Sequence, residues 1–219
     1  MTAGLPAAVL FDMDGTLVDS EPLWGIAIAE LATQLGGTLS GRVRASLVGT
    51  NVPATLEVLY AALDLPAGPA ERADGERWLR KRMAELLADG APWRPGAAEL
   101  LAEVRAARVP HALVTSTDRD LTELLLGQLG PFDTVVCADE AGRFKPAPDP
   151  YLRAAALLAA APARSVAIED SAVGAAAATA AGIRTLVVPH HVPVPPGPGL
   201  RTLPTLAGLH LDDLMALTG

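Results

Sequence analysis

The chain has 219 residues, half of them apolar, and a formal net charge of -8. That length suffices for one large domain or for a core with a small second module. The acidic balance argues against a surface for nucleic-acid phosphates, while a small phosphate ester can still be held by a local site.

The opening Met1-Thr2-Ala3-Gly4-Leu5-Pro6 has no basic region, so no signal peptide is expected. The apolar run 7–11 stops at Asp12 and reads as a strand buried on both faces. The stretch 18–92 then contains no convincing strand, and its patterns predict helices near 22–35, 42–47, 54–63 and 70–88. It is expected to form a separate helical cap, with 1–17 and 93–219 making the core; Trp93-Arg94-Pro95-Gly96 reads as the return. From there helices (97–107, 118–128, 150–160, 173–181) alternate with strands (111–114, 134–137, 165–168, 184–188). Such alternation implies an α/β, Rossmann-like core: a parallel sheet with helices on both faces.

Thr117 can cap the helix near Asp118, which puts Asp118 and Asp120 in a first turn, where negative charge is favoured. The single cysteine, Cys137, cannot make an internal disulfide; it reads as a buried strand thiol, and a reducing cytoplasm fits best. Gly182 stands where a helix-ending glycine is expected. Residues 189–200, rich in Pro and Gly, predict a surface loop before a short last strand and a closing helix near 212–217, with His190 and His191 exposed in the loop. No apolar run is long enough for a transmembrane helix.

Ligands of an open parallel sheet bind beyond the carboxyl ends of its strands. Three proposed strands end in polar groups: Asp12-Met13-Asp14-Gly15-Thr16, Thr115-Ser116 and Glu169-Asp170, with Lys145 in a nearby loop. A phosphate monoester carries about two negative charges, so its hydrolysis needs charge neutralisation and a positioned nucleophile. A carboxylate can be that nucleophile. Two anions must then approach each other, which calls for a cation, and Mg2+ prefers oxygen ligands. Asp12 and Asp170 can supply side-chain oxygens and Asp14 a backbone carbonyl; Lys145 offsets charge; Thr115 and nearby N–H groups can bind phosphate. Asp14 can protonate the leaving oxygen and later deprotonate water, work worth roughly 10²–10⁴-fold. Gly15 permits the tight turn. Taken singly, Asp-x-Asp-Gly can be a plain turn, Glu169-Asp170 a helix cap and Lys145 a solvated side chain. A calcium loop is excluded by Leu23, where its final glutamate belongs.

The stretches Phe11–Ser20, Leu113–Thr117, Lys145–Tyr151 and Ile168–Ser171 together make the sequence resemble the haloacid dehalogenase-like phosphohydrolases, in the order that family carries its motifs. The resemblance implies Asp12 as nucleophile and Asp14 as acid/base. It implies phosphate held by Thr115, Ser116 and Lys145, and Mg2+ bound by Asp12, Asp14 and Asp170 with Glu169 close by. It also implies a helical cap that closes over the site. The details look like the beta-phosphoglucomutase-like branch, which contains sugar-phosphate phosphatases and the mutase. An acid at Asp14 argues for phosphoryl transfer over halide displacement. Val52 falls where the mutase has an arginine, which favours a phosphatase of a small phosphorylated metabolite, a sugar or polyol phosphate; Arg77, Arg80, Lys81 and Arg82 are further basic candidates, with a solvated helix face as their alternative. Trp24 and Asn51 are candidate substrate contacts from the cap, although Trp24 can equally pack the hinge. A mutase and a non-catalytic binding module are the alternatives; neither nucleic acid nor membrane is an expected partner.

Overall fold

The computed structural model describes residues 4–47, 50–190 and 192–217. Six strands form one parallel sheet in the order β3-β2-β1-β4-β5-β6. They are β1 (Val9–Phe11), β2 (His111–Val114), β3 (Thr134–Val136), β4 (Val166–Glu169), β5 (Arg184–Val187) and β6 (Leu200–Thr202). The apolar runs predicted as strands are these strands: β1, β2 and β4 are buried at every position, because helices cover both faces. Successive side chains alternate between faces. Val9, Phe11, Leu113 and Ile168 point into one core with α5 (Ala97–Ala106) and α6 (Arg119–Leu129). Leu10, Ala112 and Ala167 point into the other with α7 (Asp149–Leu157) and α8 (Ala172–Ala180). Ala154 of α7 and Ala177 and Ala178 of α8 are buried in that second core. The closing helix, Leu211–Leu217, packs on α5.

Four helices occupy the insert after β1: α1 (Glu21–Gln34), α2 (Gly41–Ser46), α3 (Val52–Ala62) and α4 (Pro69–Leu87). α4 packs on α1 and α3, and also on α6 of the sheet layer. Two adjacent chain segments join the insert to the rest. Val18 bridges Trp93 in antiparallel fashion, Asp19 N–H donates to the Pro92 carbonyl at 2.7 Å, and Arg94 N–H donates to Leu17 at 2.8 Å.

Several expectations need correction. The helix predicted to reach 160 stops at Leu157, because Ala159 turns left-handed at φ 51° and Ala160 N–H donates back to Ala155. Alanine gives no sequence warning of such a turn; glycine does. Cys137 lies just beyond β3, fully buried, and burial pushes its thiol up to about 11. His190 is not an exposed loop residue: its side chain is 9% exposed and its Nε2 lies 3.5 Å from Asp19 Oδ1. His191 lies outside the described residues. Among the described residues no helix is long and apolar enough to cross a membrane.

Gly96, at the return to the sheet layer, adopts φ +83°, and a Cβ there would lie 2.2 Å from the Leu206 backbone carbon. Backbone cannot step aside as a side-chain tip can. Gly96→Ala is expected to cost about 1–3 kcal/mol, read as a lower thermal midpoint. An unchanged midpoint would contradict this packing.

Candidate active site

Asp12 continues β1, and its N–H donates to the Ile168 carbonyl at 3.0 Å, so the ends of β1 and β4 stay side by side. This is where the strand order reverses, and such reversals open a crevice at the carboxyl edge. β4 brings Glu169 and Asp170 there. Oxygens of Asp12, Glu169 and Asp170 lie within 4.8 Å of one another, and all three residues are buried. Ser171, not Glu169 or Asp170, caps α8, accepting from Gly174 N–H at 3.1 Å. The two carboxylates are thereby left to the site.

Lys145 enters from the loop between β3 and α7. Its Nζ donates to Asp12 Oδ1 at 2.8 Å, Glu169 Oε1 at 2.7 Å and the Val114 carbonyl at 2.9 Å, using all three hydrogens. Burial alone pulls this ammonium's pKa down, but the charges of Asp12 and Glu169 reverse that and hold it above its ordinary value. Tyr151 OH donates to Glu169 Oε1 at 2.6 Å. Burial raises the pKa of Glu169, the Asp12 charge raises it further, and Lys145 opposes both. Asp170 is pushed up to about 9 by burial first, then by the charges of Asp12, Glu169 and Glu21.

Asp14 is held by hydroxyls. Ser20 Oγ donates to its Oδ1, while Thr117 Oγ1 at 2.7 Å and Thr115 Oγ1 at 3.3 Å donate to its Oδ2. Burial raises its pKa most, with the Asp12 charge adding to that, against the three hydroxyls. Thr117 therefore does not cap α6, as its position suggested; Asp118 stands at that cap and makes no side-chain cap bond. Gly15, at φ +80°, carries the chain past Asp170: a Cβ there would sit 2.1 Å from Asp170 Oδ2.

A cavity of about 430 Å³ opens over these groups. The sheet layer lines it with Asp12, Asp14, Ser116, Lys145 and Asp170, and the insert with Trp24, Arg44, Leu47 and Val52 among others. Volumes of this order suit small ligands. Thr115 and Glu169 stand behind this wall. Asn51 is not on it; its Oδ1 accepts from Ala54 N–H at 2.9 Å as the cap of α3, and Thr50 and Val52 line the cavity instead. Three of the four basic candidates of α4 are engaged elsewhere, Arg77 with Asp74, Arg80 with Asp118 and Asp120, and Arg82 with Glu30 and Glu85, while Lys81 is exposed and not on the cavity wall. Sequence reasoning missed Arg44 and Glu21 on the wall and the structural partners Ser20, Thr117 and Tyr151. The last three lie within the motif stretches; nothing local marks Arg44.

The donor set suits a hard dication. Four buried or half-buried carboxylates, Asp12, Asp14, Glu169 and Asp170, face one ammonium, and Asp12 Oδ2 is buried without a hydrogen-bond partner. Oxygen-only ligands of this kind match Mg2+.

The sequence profile of the haloacid dehalogenase-like hydrolases matches residues 6–182. The chain belongs to that family. It is 32% identical to hexitol phosphatase B of Escherichia coli over 217 residues, covering 96% of this chain and 94% of the relative. It is 33% identical to the phosphorylated carbohydrates phosphatase of Thermotoga maritima, with 82% and 83% of the two chains covered. The crystal structure of CbbY from Rhodobacter sphaeroides in complex with phosphate superposes with a TM-score of 0.84 at 32% identity, covering 96% of this chain and 99% of that one. The family read from the motifs and the α/β fold read from the alternation of strands and helices are therefore correct.

Two predictions follow from the packing and charge around Glu169 and Asp170. Gly174 lies inside α8, where alanine ordinarily gains up to about 1 kcal/mol. A Cβ there would lie 2.0 Å from both Glu169 carboxylate oxygens, whereas at Gly127 of α6 nothing lies within 4 Å. Gly127→Ala is expected to stabilise and Gly174→Ala to destabilise by about 1–3 kcal/mol; urea unfolding reads both, and equal signs would refute the contact. The second concerns pH. Asp170 binds a proton more tightly folded than unfolded, so its contribution is complete below the unfolded carboxylate pKa and is lost as pH rises through about 9. Chelator-treated protein should melt lower at pH 9 than at pH 6, and Asp170→Asn should shrink that difference; a flat wild-type profile would contradict it.

Proposed function

We propose that this chain is a Mg2+-dependent phosphatase that hydrolyses a small phosphate monoester, a sugar or polyol phosphate, by way of a phosphoryl group carried on Asp12. The observation that carries this reading is the pairing at the mouth of β1. Asp12 has one oxygen held by Lys145 and the other unpartnered, beside an Asp14 held by three hydroxyls. The names of the relatives, hexitol phosphatase and phosphorylated carbohydrates phosphatase, support the substrate class.

Asp12 Oδ2 would attack phosphorus as the ester P–O bond breaks. Asp14, protonated at that moment, would give its proton to the leaving oxygen. The burial that raises its pKa works in the direction this role needs, toward the proton-bearing form. The carboxylate left on Asp14 would then take a proton from water, whose attack on phosphorus releases inorganic phosphate and restores Asp12. Thr115, Thr117 and Ser20 would keep Asp14 aimed. Lys145 would hold Asp12 and neutralise part of its charge, while Ser116, on the cavity wall, can donate to phosphate oxygens. Asp12, Asp170 and the Asp14 carbonyl would hold Mg2+, with Glu169 behind them. The ion would supply positive charge to the phosphoryl oxygens. Val52 puts an aliphatic side chain on the wall, which supports hydrolysis over the mutase reading. Arg44 is a cation of the insert on the same wall, so isomerisation belongs in the assay.

The test is phosphate release from a panel of hexose, polyol and nucleoside monophosphates, with Mg2+ and with chelator, together with conversion of glucose 1-phosphate to the 6-phosphate. Release is expected with Mg2+ only. Asp12→Asn should abolish it and Asp14→Asn should lower it roughly 10²–10⁴-fold. Turnover retained by a clean Asp12→Asn preparation removes the covalent mechanism, and isomerisation without phosphate release makes the enzyme a mutase.

A further inference from the structure

The cavity is shared by two layers, so its shape depends on how the insert is held against the sheet layer. Arg80 of α4 carries a side-chain bridge between them. Its Nη1 donates to Asp120 Oδ1 at 3.0 Å and its Nη2 to Asp118 Oδ2. Glu76, one turn earlier on α4, accepts from Arg80 Nε at 3.2 Å and Nη2 at 3.0 Å, which holds the guanidinium in place for that grip. Arg80 is 29% exposed and the Asp118 side chain 10%, so the pair is better shielded from water than a surface ion pair.

What Arg80 grips matters for the site. Asp118 is the cap residue of α6, and the residue before it, Thr117, donates to Asp14 Oδ2 at 2.7 Å. The other end of α6 is tied to the returning linker: Gln128 Nε2 donates to the Ala91 carbonyl at 2.6 Å and Gln128 Oε1 accepts from Ala91 N–H at 3.0 Å. α6 is thus held by the insert at its start and by the linker near its end. Asp120 and Gln128 are about 12 Å apart along the helix at 1.5 Å per residue. Rotation of the insert about the paired segments at Val18 and Trp93 would therefore act on Arg80 with a long lever.

We propose that Arg80 is a positioning residue: closed, the insert uses it to fix the start of α6, and through Thr117 it sets the Asp14 carboxyl for proton transfer. The positioning role rests on the phosphatase reading; the latch itself does not. Opening the insert breaks two charge-assisted hydrogen bonds and frees the segment that aims Asp14. Acid catalysis is then organised only over an enclosed substrate.

The experiment pairs a distance with a rate. Spin labels at Glu57→Cys on α3 and Arg153→Cys on α7, both exposed positions, report the separation of insert and sheet layer; buried Cys137 stays unlabelled. Arg80→Met is expected to move the distance distribution to longer and broader values. Its kcat should fall about 10–100-fold on alkyl phosphates, whereas the first-turnover release of nitrophenol from nitrophenyl phosphate, a step that needs no proton from Asp14, should stay within about threefold of wild type. Arg80→Lys should recover part of both effects, and Asp118→Asn should reproduce them from the other side of the bridge, which keeps the test open if Arg80→Met does not fold. Wild-type distances in Arg80→Met and Asp118→Asn overturn the latch. A first-turnover nitrophenol release that falls as far as alkyl phosphate turnover overturns the positioning role. A wild-type enzyme silent on every ester removes the phosphatase reading and the positioning role with it, while the label distances still decide the latch.

Discussion

Four carboxylates crowd the carboxyl edge of β1 and β4, and one ammonium, that of Lys145, lies among them. At a few ångströms and low effective dielectric such charges interact by several kcal/mol, so the site must be neutralised by other means. Three are visible. Lys145 gives two of its three hydrogens to Asp12 and Glu169 and the third to the Val114 carbonyl. Hydroxyls of Ser20, Thr115, Thr117, Tyr151 and Ser171 donate to carboxylate oxygens without adding charge. Burial and mutual repulsion raise the pKa of Asp14, Glu169 and Asp170, which favours their uncharged forms. A buried pair such as Lys145 with Glu169 is weak evidence for stability, because desolvation offsets its attraction. The arrangement is better understood as a receptor for positive charge, which under the proposed function would be a dication.

That demand reaches into the backbone. Glycine at position 15 lets the chain cross within touching distance of Asp170, and glycine at position 174 gives up helix propensity to leave room for the Glu169 carboxylate. Capping is handed to residues the chemistry does not need: Ser171 caps α8 and Asn51 caps α3. The strands are short, three or four residues, because each has only to cross a thin core and deliver its last side chain to the edge.

Much of this was legible in the chain itself. Runs such as Val9–Phe11 and His111–Val114, apolar on both faces and ending in Asp12 or Thr115, carry their meaning locally: only a buried parallel strand tolerates them, and only its end exposes a polar group to a crevice. Where the reading failed, the deciding partner was distant in sequence. Thr117 has the chemistry of a helix cap, yet its hydroxyl is taken by Asp14, 103 residues earlier. Asn51 went the opposite way, taken as a substrate contact although Ala54 three residues on was waiting for an acceptor. Arg80 and Arg44 are both helical arginines of the insert, and it is the packing of α4 on α6 that makes one a bridge, while the other lines the cavity. Ala159 bends left-handed without the glycine that would announce it.

The two layers divide the work unevenly. The charged and proton-bearing groups of the site come chiefly from strand ends of the sheet layer, where parallel pairing fixes each one against its neighbour. The wall that meets the rest of the ligand comes from the insert, through Trp24, Leu47, Val52 and Arg44, and can change without disturbing that register. Such a division leaves one problem, which is to keep chemistry idle when the wall is absent. The proposal gives that task to the start of α6, where Thr117, just before the cap, meets Asp14 and the cap residue Asp118 meets Arg80 of the insert. On the proposed reading, a helix that answers to both layers would make the aim of Asp14 depend on the presence of the wall, and water reaching an open site would find that carboxyl loosely held.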